Sequence, residues 1–180
     1  MALTLIGSAH EADGSSISID ITSGIDDTYK VYEFHFINIH PSHAGSSGQL
    51  LWQASTGSGF DQLGITSTAV RAYQQEDDSG GEVDYRAGED QASTANYEIL
   101  MEGIGNANEQ SGSGILRLYD PSNTTYVKHF MSMTNTTLTA GTKQDIHAGY
   151  INTTSAITQI SFKMSSNTMD DGTIKMFGVS

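Results

Sequence analysis

The 180-residue sequence contains no cysteine. That removes disulfides, thiolate zinc sites, iron–sulfur clusters and cysteine nucleophiles together. It also leaves the redox compartment unmarked. Positive charge is scarce: 8 Lys and Arg stand against 21 Asp and Glu, for a net charge of −13. Phosphate backbones and anionic lipid surfaces both need Lys and Arg, so no nucleic acid and no membrane is expected as a partner. No window approaches the ~20 apolar residues of a membrane-spanning helix. The opening stretch, residues 1–14, lacks the positive start and the apolar run of a secretory signal. Charge of either sign is low, at 16% of residues against about 25% in an average domain. Ser, Thr, Asn, Gln and Gly cover the surface instead, a composition that suits β-domains with many turns better than Glu- and Lys-rich helical bundles.

What is present is a period of two. Ile17, Ile19 and Ile21 alternate with Ser18 and Asp20, the pattern of a half-buried strand. From Tyr29 to Ile39, Tyr32, Phe34 and Phe36 fall on one face and Val31, Ile37 and Ile39 on the other. Apolar residues on both faces predict a central strand or an interface. Further strands are expected at 49–56 (with Trp52, the only tryptophan), 68–75, 93–104, 115–119, 125–133, 146–151, 156–164 and 173–179. Ser111-Gly112-Ser113-Gly114, Asp120-Pro121-Ser122-Asn123 and Met169-Asp170-Asp171-Gly172 read as turns. The segment near 74–92 is acidic, holds three glycines and few large apolar residues, and is expected to be a surface loop. Eight to ten strands with turn signals every 8–15 residues predict an all-β fold, a jelly-roll-like antiparallel β-sandwich. No composition break divides the chain, so residues 1–180 form one domain.

The candidate chemistries each meet a plainer reading. Three Asn-Thr-Thr tripeptides, at Asn123, Asn135 and Asn152, match the glycosylation acceptor but also suit turns. His35, His40 and His43 lie close in sequence, yet His40 and His43 share a loop without the helical context of a zinc protease. Asp26 with Asp27, residues 76–78, and Asp170 with Asp171 could supply hard oxygen ligands, but none has the spacing of a twelve-residue calcium loop. There is no G-x-S-x-G; Ser58 and Ser113 sit between glycines in expected loops. No phosphate-binding Gly-Lys-Ser or Gly-Lys-Thr and no dinucleotide fingerprint occurs. Trp52, Tyr73, Tyr85 and Tyr119 are candidates for stacking a sugar ring. No catalytic, cofactor-binding or metal-binding residue is assigned, and no cofactor is expected.

Three blocks carry a resemblance. Asp27-Thr28-Tyr29-Lys30-Val31-Tyr32-Glu33-Phe34-His35-Phe36-Ile37-Asn38-Ile39-His40-Pro41 resembles an opening found in small virion structural proteins of marine tailed phages. Leu118-Tyr119-Asp120-Pro121-Ser122-Asn123-Thr124-Thr125-Tyr126-Val127-Lys128-His129-Phe130 resembles the same proteins. So does the end of the chain, 160–166 and 170–179. The resemblance implies a non-enzymatic role on the particle, as a protein decorating or cementing the capsid surface. The alternative is a tail fibre, appendage or receptor-binding protein with a carbohydrate-binding face; the long repetitive shaft of many fibres is missing here. A hydrolase of polysaccharide or peptide is the least supported reading. The implied partners are other virion proteins (the major capsid protein or tail components) and further copies of the chain, a homo-oligomer for which a trimer is one plausible symmetry. The implied location is the virion, assembled in the host cytoplasm. Charge is screened within about 8 Å at physiological salt, so apolar contacts must carry assembly. The segment 29–39 is the first place to expect one.

Overall fold

The computed structural model describes residues 2–42, 48–60 and 62–180. Among them fourteen strands form and no helix does. The smaller sheet has four strands in the order β3 (Ser18–Ile21), β13 (Gln159–Met164), β5 (Gly48–Ser55), β9 (Glu98–Ile104). The larger sheet runs β1 (Leu3–Leu5), β14 (Met169–Val179), β4 (Val31–Pro41), β10 (Gly112–Tyr119), β11 (Lys128–Leu138), β12 (Gly141–Ile151), β6 (Ile65–Gln75), β7 (Gly81–Tyr85). Two short pieces complete it: β2 (His10–Glu11) pairs with β14, and β8 (Ala92–Thr94) pairs with β6. Every pairing is antiparallel.

The two sheets stack as a sandwich. Alternation puts Tyr32, Phe34 and Phe36 of β4 inward, and Ile160, Phe162 and Met164 of β13 meet them from the other layer. The Phe162 ring lies 5.5 Å from that of Phe34 and 5.2 Å from that of Phe36. Trp52 of β5 meets Phe130 of β11 edge-on at 4.9 Å. Each such side chain contributes roughly 1.5–3 kcal/mol on leaving water. Under β9 the chemistry changes. There the layers are tied by polar contacts: Thr134 Oγ1 donates to the Leu100 carbonyl at 2.6 Å, and the Glu102 amide donates to Asp145 Oδ2 at 3.1 Å.

Several expectations are corrected. The strand count exceeds eight to ten because of the peripheral pieces β1, β2, β7 and β8. Ile17 does not share the burial of Ile19 and Ile21; it is 72% exposed, because the pairing with β13 stops at Lys163–Ser18 and Ile17 falls before the strand begins. Ile39 leaves the face of Val31 and Ile37 and is fully buried. The cause is a β-bulge: three steps on β4 (Phe36 to Ile39) oppose two on β10 (Gly114 to Gly112), with Asn38 at φ 53°. Asn tolerates that conformation, and the Asn38 amide donates to Ser113 Oγ at 3.0 Å. On the other side Gly172, at φ 126°, relieves the same bulge; a Cβ there would stand 2.8 Å from the Ile39 Cα. The runs 112–114 and 169–172, expected as turns, are therefore strand. The segment expected as a loop near 74–92 is a β-hairpin in its first half, with β7 paired to β6 from Val70–Tyr85 to Gln74–Gly81. The turn at 120–123 forms as expected: the Asn123 amide donates to the Asp120 carbonyl at 3.0 Å.

Candidate functional site

The large sheet has an inner face against the small sheet and an outer face that nothing covers among the described residues. In β11 the inward residues are Lys128, Phe130, Ser132, Thr134 and Thr136, all buried, while Met131 and Met133 point out and are 50% and 55% exposed. In β12 Asp145 and His147 point in and are buried, and Ile146 and Ala148 point out. In β6 Ser67 and Arg71 point in, and Val70 and Ala72 point out. Three neighbouring strands thus bury polar groups beside Phe130, Ile151 and Ile65 on the inner side and turn apolar groups outward. The register aligns the apolar ones into a row across the sheet: Ile115, Met133, Ile146, Val70 and Tyr85 are successive partners on β10, β11, β12, β6 and β7.

The rest of the face continues the pattern. Ten large hydrophobic side chains are exposed among the described residues. Met131, Met133, Val70, Ile37, Val83 and Tyr85 are on this face by alternation. Leu3 and Leu5 join them, because they pair with Val179 and Phe177 on the outward side of β14. Only Ile17 and Tyr126 lie elsewhere. Between β10 and β11 a shallow groove of about 600 Å³ is lined by Ile115, Met131, Met133 and Ile146. On β4, β10, β11, β12, β6 and β7 the outward Asp, Glu, Lys and Arg are Glu33 and Arg117 alone, joined at 2.6 Å, and β14 adds Lys175. The −13 of the chain therefore resides elsewhere. Burial would push the Glu33 carboxyl up, but hydrogen bonds from His35 and Arg117 and the Arg117 charge outweigh it and hold it below its ordinary value.

The outer face of the small sheet is closed by contrast. Gln53 donates to the carbonyls of Leu63, Ala95 and Asn96, and Tyr97 bonds Ser161, which in turn bonds Asp20.

A second feature is charged. Arg71 is 3% exposed and bonds Asp145 at 2.7 Å, Glu89 at 2.7 Å and Glu102 at 3.1 Å. Burial would lower the Arg71 pKa, but these carboxylates outweigh it and raise it. Lys143 bonds Glu102 at 2.7 Å; Arg86 bonds Glu89 at 2.9 Å and Asp84 at 3.0 Å. A cleft of about 640 Å³ beside them is lined by Arg71, Arg86 and Lys143 together with Glu82, Asp84 and Glu102, so its formal charge cancels. These groups are largely spent on one another.

A third feature is sealed. His147 Nδ1 lies 3.3 Å from Glu98 Oε1, and Ser132 is the cross-strand partner of His147. The residue types are those of a hydrolytic triad. Ser132 Oγ and His147 Nε2 are not hydrogen-bonded to each other, and Glu98 and His147 are wholly buried. The group ties the two sheets and offers no surface to a substrate.

The sequence candidates scatter. Trp52, a candidate sugar platform for which a core position is the plainer reading, is in the core. Tyr73 faces the charged cleft, while Tyr85 and Tyr119 are on the outer face at well-separated strands, so the four make no common platform. His35 bonds Glu33 and His40 bonds the Gln110 carbonyl; His43 lies outside the described residues. No group of three or more His, Asp or Glu among the described residues could hold a metal ion. Asp26 and Asp77 brace turns, accepting from the Thr28 and Ser79 amides, and Asp171, in β14, accepts from the Gly172 amide. Ser113 braces the β4 bulge. Asn123 builds a turn by accepting from the Thr125 and Tyr126 amides, whereas Asn135 is in β11 rather than a turn. Sequence reasoning missed Arg71, Glu98 and His147; their signal was polar residues at the inward parity of alternating strands.

Compared with known proteins, the chain matches no protein-family model, no curated protein and no solved structure.

Proposed function

We propose that this chain is a non-enzymatic structural protein of a phage particle, which decorates or cements the capsid surface and acts through contact between proteins. The observation that carries the reading is the outer face of the large sheet, where eight of ten exposed large hydrophobic side chains gather. Exposed apolar side chains collected on one sheet face mark a surface that another protein covers. The resemblance of 27–41, 118–130 and 160–179 to virion proteins supplies the particle as the setting.

The strand order supports a jelly-roll reading. An eight-strand jelly roll folds as two Greek keys, with its first, eighth, third and sixth strands in one sheet. The order β3-β13-β5-β9 fits that sheet. The companion sheet takes the second, seventh, fourth and fifth strands, and β4, then the meander β10-β11-β12, then β6 and β7 fit it with the seventh strand tripled. β14 and β1 extend it past β4. The test is quantitative mass spectrometry of purified particles. Many copies of the chain per particle are expected; finding it only in the lysate of infected cells overturns the reading.

A further inference from the structure

We propose that the outer face of the large sheet is a self-association surface, covered by the same face of a second copy of this chain around a two-fold axis. The inference rests on the structural role proposed above and names the partner of that surface.

Three observations select a second copy. The first is the outward set of β11, β12 and β6: Met131, Met133, Ile146 and Val70 face out while Phe130, Ile151 and Ile65 are buried on the inner side, so these strands carry apolar side chains on both faces, as strands covered on both sides do. The second is charge. On the six strands β4, β10, β11, β12, β6 and β7 the joined pair Glu33–Arg117 is the whole of the Asp, Glu, Lys and Arg on this face, and Lys175 on β14 adds one positive charge. A strongly basic or acidic partner finds little there to pair with. Two copies, each at −13, approach with least repulsion where neither carries unpaired acid. The third is size. The six adjacent strands from β14 to β6 are each eight residues or longer; at about 4.8 Å between strands and about 3.4 Å per residue they give a face of roughly 800 Å². That equals one partner's share of a stable interface. Flat sheets stack face to face at about 10 Å, and the methionines, unbranched and adaptable, fill the irregular gaps between them.

The test is sedimentation velocity with light scattering on the purified chain across a dilution series, with no particle present. The expected species has twice the 19.3 kDa chain mass, and added salt tightens it, because salt screens net repulsion while the apolar contact is unaffected. Met133→Glu, at a side chain already 55% exposed, places two like charges near the axis and weakens the dimer at least about 100-fold. Ile17→Glu, off the face, leaves it unchanged. Circular dichroism checks that both variants fold, and Met131→Glu on the same face replaces Met133→Glu should that variant not fold. A wild-type chain that stays monomeric, a trimer, or a dimer indifferent to both methionine variants overturns the self-contact. A monomer still found in many copies on particles would overturn this inference alone and leave the structural role standing.

Discussion

Replacing Arg71 with methionine isolates what holds the polar half of the sandwich together. The three carboxylates around Arg71 are not equally dependent on it. Glu89 keeps Arg86, and Glu102 keeps Lys143. Asp145, 1% exposed, keeps only the Glu102 amide on Oδ2 and loses every donor to Oδ1. The cost is therefore that of one uncompensated buried charge, about 3–5 kcal/mol. For a chain of this length that corresponds to a fall in Tm of roughly 6–20 °C. Pairing the change with Asp145→Leu removes the stranded charge. An apolar replacement of both partners is close to neutral, so the double variant recovers most of the loss. Urea unfolding followed by circular dichroism, on all three variants and the wild type, reads the cycle. A loss under about 1 kcal/mol for Arg71→Met, or a double variant less stable than the single one, refutes the account of Arg71 as the counter-charge of Asp145.

Two further outcomes follow from the same geometry. Glu33→Gln destabilises at pH 7, and the gap to the wild type closes as pH falls below the unfolded range near 4.3: the folded Glu33 carboxyl lies below its ordinary value, so its contribution is complete above that range and disappears as the folded group is protonated; a gap that stays constant with pH, read by thermal melts, contradicts this. Gly149→Ala costs about 1–3 kcal/mol or more, because the new Cβ would overlap the Thr66 carbonyl and stand 2.8 Å from the Ser67 Cα in the neighbouring β6, and an unchanged urea midpoint would show that the strands can part without penalty.

The all-β sandwich was legible because its apolar half obeys the simplest rule. Tyr32, Phe34 and Phe36, and Ile160, Phe162 and Met164, alternate in sequence and are buried on facing layers. What alternation could not supply was any event that changes parity. The bulge at Asn38 sends Ile39 into the core by inserting one residue, and no local pattern announces it. The hairpin of β6 and β7 was hidden for another reason. Gly81–Tyr85 is a five-residue edge strand in which Val83 and Tyr85 alternate with Glu82 and Asp84 inside an acidic run, formed because β6 offers it a free row of amides and carbonyls.

The candidate surface was hidden by the reverse difficulty. Met131 and Met133 alternate with Ser132 and Thr134, and alternation fixes which residues share a face without saying which face is inside. Hydropathy alone would bury the methionines. The decision is made by β9, distant in sequence, whose Glu98 and Glu102 are buried or half-buried and need partners. β12 and β6 meet them with His147, Lys143 and Arg71. Those strands must then turn their polar side inward, and Ile146 and Val70 are left outside as a consequence; β11 follows through Thr134 and the Leu100 carbonyl. The polar tie between the layers and the apolar outer face are thus two results of one choice of parity. A chain acting alone would lose on both counts, burying charge inside and wetting methionine outside. A contact across the outer face offsets the second cost, which is why the segment 29–39, whose inward aromatics are already satisfied within the sandwich, contributes only its flank, Val31 and Ile37, to the surface, and the centre falls on β11 and β12.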